Sequence, residues 1–146
     1  MTSNSGHWSI PSDVTFGYNE YSRDGWKLGN ASKYIRIPSD FYVTFPFKLS
    51  FILNDRYSYS PEINIGEKYI YMDYDKIWIQ DTGLPHSPIN GAEYSFIVRS
   101  DSVEAYCNNN LVGSVNVSFD PTDTNLKIGI GNNRFFQIKD LKVKAL

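Results

Sequence analysis

One cysteine, Cys107, leaves the chain without an intrachain disulfide, a thiolate zinc site or a redox pair. The formal net charge is only -2, with both signs mixed throughout, so there is no basic stripe to release counterions from a nucleic-acid backbone. Nucleic acid is therefore not an expected partner. No apolar run approaches the roughly 20 residues of a membrane span; the longest, around Leu49 to Leu53, is strand-sized. Membrane insertion is not expected either, and the chain is read as soluble. The opening Met1 to Gly6 is small and polar and lacks the apolar stretch of a secretory signal, so residues 1–12 are expected to form a flexible arm or linker. Helical spacing is the last thing missing. No stretch longer than about ten residues carries apolar positions at i, i+3, i+4 and i+7.

What is present is period-two alternation and aromatic side chains. Hydrophobic residues at 41% and charged residues at 21% are globular values, and 146 residues suffice for one core. We therefore expect a single domain over residues 13–146. Its expected strands are Val14 to Tyr18, Lys33 to Ile37, Tyr42 to Leu53, Glu62 to Ile65, Lys68 to Asp73, Lys76 to Gln80, Glu93 to Arg99, Val103 to Asn108, Leu111 to Val117, Leu126 to Gly131 and Phe135 to Ala145. Turn residues separate them, among them Asn54-Asp55, Asp73-Tyr74-Asp75, Pro85 to Gly91, Asn108 to Asn110 and Asp120-Pro121. Pro46, unable to donate to a ladder, marks an edge, bulge or kink inside its strand. Many short strands without crossover helices predict an all-β, two-sheet antiparallel sandwich.

The hairpin from Lys68 to Gln80 fixes its own register. If Ile70 and Met72 face the core with Ile77 and Ile79, a loop over Asp73 to Lys76 pairs Met72 with Ile77 and Ile70 with Ile79. Tyr71 then opposes Trp78, and Tyr69 opposes Gln80, on the outer face. Flat aromatic faces beside amide and carboxylate groups bind sugars, the rings taking the C–H faces and the polar groups the hydroxyls. The candidate ligand-binding residues are thus Tyr69, Tyr71, Trp78 and Gln80. Glu104, Tyr106 and Asn108 are added as an extension in the same sheet, on the argument that Val103, Ala105 and Cys107 point inward. Tyr57 and Tyr59, in a loop-like stretch, are candidates to flank the ligand. Ordinary cross-strand aromatic pairing accounts for the same residues without a ligand, since it stabilises sheets by roughly 0.2–1 kcal/mol. Trp8 and Trp26 are expected to pack at the core or an edge.

The segment from Tyr94, reading Tyr-Ser-Phe-Ile-Val-Arg, Val-Glu-Ala-Tyr-Cys-Asn-Asn-Asn and Leu-Val-Gly-Ser, and the closing Leu126-Lys-Ile-Gly-Ile-Gly and Phe136-Gln-Ile-Lys-Asp-Leu-Lys-Val, resemble the concanavalin A-like or laminin G-like jelly rolls. Asn109 stands where glycine is usual, and asparagine tolerates the positive φ that such a turn needs. The resemblance implies two antiparallel sheets, sugar binding on a face or at the loops, and sometimes a structural calcium ion. For calcium, Asp120, Asp123 and Asn125, or Asp73 and Asp75, supply oxygens, but neither spacing is diagnostic and turn capping explains both clusters. No other cofactor is expected. The Glu-x-Asp-x-x-Glu strand by which hydrolases of this fold flank a glycosidic bond does not occur. Nor do Gly-x-Ser-x-Gly or His-Glu-x-x-His. No catalytic or metal-ligating residue is therefore assigned.

The expectation is a non-catalytic, lectin-like carbohydrate-binding domain of a cell-surface or viral attachment protein, at an extracellular, cell-surface or virion-surface location. Its expected partner is a glycan or cell-surface polysaccharide. The rival is a structural or assembly domain of a virion fibre, baseplate or capsid decoration, or an adhesin, in which the same aromatics fill the contacts of a homo-oligomer.

Overall fold

The computed structural model describes residues 7–9, 22–23, 26–27, 34–35, 42–55, 62–129 and 137–146. Fourteen strands occur in these segments: β1 His7–Ser9, β2 Ser22–Arg23, β3 Trp26–Lys27, β4 Tyr34–Ile35, β5 Phe47–Asp55, β6 Glu62–Ile65, β7 Lys68–Met72, β8 Lys76–Ile79, β9 Thr82–Pro85, β10 Glu93–Arg99, β11 Ser102–Cys107, β12 Asn110–Asn116, β13 Leu126–Gly129 and β14 Gln137–Ala145. One six-stranded sheet runs β1-β14-β5-β10-β11-β12 and a second runs β4-β13-β6-β7-β8-β9, with β2 and β3 paired separately. Every paired strand is antiparallel. There is no helix among the described residues, and so none long and apolar enough to cross a membrane.

Alternation builds the core between the two sheets. From the first sheet, Phe47, Leu49, Phe51, Leu53, Tyr94, Phe96, Val98, Val103, Ala105 and Val143 are buried. From the second, Ile63, Ile65, Ile70, Met72, Ile77, Ile79 and Leu126 are buried opposite them. Burying a side chain of the Val, Leu, Ile, Phe or Met type contributes about 1.5–3 kcal/mol, so the two apolar faces hold each other in place. The sheets also close at one end of the sandwich. Leu84 of edge strand β9 packs on Gly113 of edge strand β12, where an added Cβ would come within 2.8 Å of the leucine.

The expected strand over Tyr42 to Leu53 is shorter at its start. Tyr42 forms only an isolated bridge to Asn125, and β5 begins after Pro46, which has no N–H to give the ladder. At its other end β5 continues through Asn54 and Asp55, where a turn was expected, because Asp55 pairs with Gln137 of β14. β9 was not foreseen: Thr82–Pro85 shows no alternation in sequence, yet it pairs along β8 from Ile79↔Thr82 to Lys76↔Pro85. Within the expected N-terminal arm, His7–Ser9 pair with Lys142–Lys144 of β14. The expected strand Val14 to Tyr18 lies outside the described residues.

Candidate functional site

The β7–β8 hairpin has the register its alternation predicts: Ile70↔Ile79, Tyr71↔Trp78 and Met72↔Ile77. The aliphatic residues are sealed in the core, and Tyr69, Tyr71 and Trp78 stand half-buried on the outer face. The rings of Tyr71 and Trp78 lie 6.3 Å apart and 19° from parallel, and Tyr69 adjoins Tyr71 at 5.9 Å and 35°. Three side chains thus form one continuous aromatic surface.

Two residues that the sequence reading did not assign to this surface position its indole. The first is Asp73, at the end of β7. Its Oδ1 accepts the backbone N–H groups of Asp75 (3.1 Å) and Lys76 (2.9 Å), closing the turn, while its Oδ2 accepts the Trp78 Nε1–H at 2.7 Å. Burial alone would raise this carboxyl, but the indole and backbone donors outweigh it and hold Asp73 below the ordinary carboxylate range. The second is Gly83, paired with Trp78. A Cβ there would lie 3.1 Å from the far edge of the indole and 2.6 Å from Lys76 Cδ. The indole therefore reaches from Asp73 on one neighbouring strand to the bare backbone of Gly83 on the other. Lys76 Nζ sits 5.9 Å from the Trp78 ring and 3.5 Å from Asp75. A glycine inside a strand signals such a close approach, and Asp73 lay in plain view as a turn residue; neither reveals the indole contact without the fold.

Tyr69 is held at both ends. Its hydroxyl donates to Asp81 at 3.3 Å, and burial, followed by the Asp81 charge, raises its pKa. Its backbone N–H donates to Gln80 Oε1 at 2.8 Å, while the Gln80 N–H donates to the Tyr69 carbonyl at 3.0 Å. Gln80, expected to offer its amide to a sugar, thus uses its side-chain oxygen within the hairpin. With φ at 53° it has left the strand, and its side-chain oxygen takes the place of a ladder carbonyl. Asn64, across from Tyr69, has a shielded Oδ1 without a hydrogen-bond partner.

A correction concerns Glu104, Tyr106 and Asn108. Their alternation is as expected, with Val103 and Ala105 sealed inward and Cys107 buried beside them. However, β11 belongs to the other sheet, so Glu104 and Tyr106 occupy the opposite outer surface of the sandwich from Trp78. There Glu104 Oε1 accepts the Tyr106 hydroxyl at 3.2 Å and an Arg99 guanidinium N–H at 3.4 Å. Burial, then the Glu104 charge, raises the Tyr106 pKa. Asn108 belongs to a turn, and its Oδ1 accepts the Glu93 N–H at 2.9 Å. Alternation specifies inward or outward but is silent on which sheet a strand joins. Tyr57 and Tyr59 lie outside the described residues.

In the acidic clusters, Asp73 and Asp120 cap turns. Besides Asp73, Asp120 Oδ1 accepts both the N–H (2.8 Å) and the hydroxyl (2.7 Å) of Thr122, which lowers the Asp120 pKa. No group of three His, Cys, Asp or Glu side chains comes together among the described residues.

The chain is an antiparallel two-sheet sandwich carrying an aromatic surface on the outside of one sheet. Two solved structures share that architecture. One is domain 4 of AbnA, a GH43 extracellular arabinanase from Geobacillus stearothermophilus, in complex with arabinotriose; it matches with a TM-score of 0.63 and 14% identity over 97% of this chain and 91% of that one. The other is the carbohydrate-binding module CBM66 from Bacillus subtilis, with a TM-score of 0.61 and 8% identity over 99% of each chain. At these identities the likeness is one of fold. No protein-family model and no curated protein matches the sequence.

Proposed function

We propose that this domain is a non-catalytic carbohydrate-binding module that takes glycan on the outer face of the β6–β9 sheet, over Tyr69, Tyr71 and Trp78. The observation that carries the reading is the near-parallel Tyr71–Trp78 pair, whose indole is fixed at both ends by Asp73 and Gly83. A preorganised apolar surface ringed by carboxylates suits a ligand with C–H faces and hydroxyl edges. The fold supports the same reading, since CBM66 is by its name a carbohydrate-binding module and the arabinanase domain was solved with arabinotriose. Asp73 and Asp81, the carboxylates bonded to the rings, act in positioning rather than in acid–base chemistry. We place the domain in an extracellular cell-surface or virion attachment protein, where a modest affinity is multiplied by repeated contacts.

A glycan microarray followed by calorimetry on the best ligand tests the proposal. Trp78→Ala is expected to cost about 2 kcal/mol or more of binding, roughly thirtyfold in affinity. Wild-type protein that binds no glycan, or a Trp78→Ala variant that binds as well as wild type, sinks the reading. An obligate symmetric oligomer that buries Trp78, seen by light scattering and crystallography, replaces it with the assembly role.

A further inference from the structure

The ring pair is one part of a longer feature. Successive ladder registers align Tyr34, Gly129, Glu62, Tyr71, Trp78 and Gly83, one residue from each of the six strands of the sheet, in a row at right angles to the strand direction. At about 4.8 Å per strand the row is roughly 24 Å long. Directly opposed residues share a face, and Ile63, Ile70, Ile77 and Ile79, the sequence neighbours of the row's side chains, are sealed in the core. The row therefore lies along the outer surface.

Its composition changes along its length. Trp78 and Tyr71 supply two apolar faces, Glu62 follows with a half-buried carboxylate, Gly129 lies between it and Tyr34 of edge strand β4, and Gly83 stands at the other end on edge strand β9. Tyr69 and Asn64 border the row on one side, Asp73 and Lys76 on the other. This row crosses the whole sheet and is longer than a single sugar, and at Gly83, on edge strand β9, it runs out without a side chain.

Charge narrows the ligand class further. Glu62, Asp73, Asp75 and Asp81 surround the rings, and the amine of Lys76 beside them pairs with Asp75. Such a field repels carboxylated or sulfated glycans and leaves Glu62 to accept hydrogen bonds from sugar hydroxyls.

We propose that the whole row is the binding surface, and that its ligand is a linear, uncharged polysaccharide laid across the strands and contacted along several consecutive sugars. This rests on the reading of the face as a glycan site.

The test starts with affinity electrophoresis of the intact chain through gels containing linear arabinan, xylan, mixed-linkage β-glucan, galactomannan, polygalacturonate or alginate. Calorimetry follows, with oligosaccharides of the retaining polymer from monosaccharide to hexasaccharide. Retention by a neutral polymer and not by the two anionic ones is expected, with affinity rising about tenfold or more between disaccharide and pentasaccharide. Glu62→Ala is expected to remove most of that gain, and Gly129→Gln, which places a side chain in the row, gives an independent check should the first variant fold poorly. Affinity that is already complete with a mono- or disaccharide, or retention by the anionic polymers, overturns this inference while the Tyr71–Trp78 site stands. Absence of retention by any polymer, together with an array on which nothing binds, removes both.

Discussion

Asp73 ties a turn to an indole: one carboxylate oxygen caps the backbone between β7 and β8, and the other, 2.7 Å from Trp78 Nε1, sets the direction of the ring. Three N–H donors converge on a single side chain. Asp73→Ala is expected to destabilise the domain by about 2–3 kcal/mol, since it leaves those donors without their acceptor, and to weaken glycan binding as well. Asp73→Asn retains one acceptor oxygen for three donors and should fall between wild type and alanine. Because the folded pKa is depressed, the contribution of this carboxylate is fully present above its unfolded pKa and is lost as pH falls through the folded one. Binding should therefore be level around neutrality and decline only in strong acid. Urea melts and calorimetry across pH check both statements; a binding loss centred near neutral pH would assign the anchoring to another group.

Gly83 separates binding from stability. In Gly83→Ala the new methyl meets Lys76 Cδ, which can swing aside, and the indole edge, which Asp73 restrains. Alanine in a strand interior gains roughly 0.5–1 kcal/mol over glycine, which offsets the displacement. The expected outcome is a thermal midpoint close to wild type with clearly weaker glycan binding. Equal loss of both would mean that the glycine serves the ladder and not the ring.

His86 makes stability depend on pH under mildly acidic conditions. Its Nε2 lies 2.7 Å from the hydroxyl of Tyr94, itself fully buried, and that hydroxyl also accepts the Ile89 N–H at 2.9 Å. Burial lowers the His86 pKa below its ordinary value, so the unfolded chain takes up the proton first. Stability is therefore whole above the unfolded histidine pKa and declines as pH falls from there toward the folded value. Denaturant melts at neutral pH and at pH about 5 should show wild type losing stability while His86→Gln loses less. Parallel behaviour of the two proteins would place the titration elsewhere.

The β11–β12 turn tests whether asparagine substitutes for glycine. Asn108 and Asn109 have φ of 50° and 67°, and Cys107 pairs with Asn110 around them, the two-residue geometry of a type I′ turn. Asn109→Gly is expected to leave stability unchanged or raise it by about 0.5 kcal/mol, whereas Asn109→Ala should lower it by about 1 kcal/mol. Thermal melts of the two variants suffice, and an alanine variant as stable as wild type would contradict the left-handed backbone.

How much of the site could be read in advance varies with the range of the interaction involved. Tyr71 opposite Trp78 was legible because one hairpin contains both, and its aliphatic residues allow a single register. Asn109 was legible for a similar local reason. Gln80 was not, because its side chain caps the ladder only once the backbone has turned to positive φ. β9 was not legible either, since Thr82-Gly83-Leu84-Pro85 takes its strand form from β8 and from the contact of Leu84 with Gly113.

By itself the sequence determined an all-β chain, the inward and outward sets of its strands, and the pairing within the 68-to-80 hairpin, because period-two alternation and turn chemistry act over neighbouring residues. Only the tertiary structure decided which strands share a sheet. That step sent Glu104 and Tyr106 to the opposite surface from Trp78 and brought Glu62 and Gly83 into line with Tyr71. The physical reason is that strand order is set by the burial of whole sheet faces against each other, a property of the assembled core that no single segment carries.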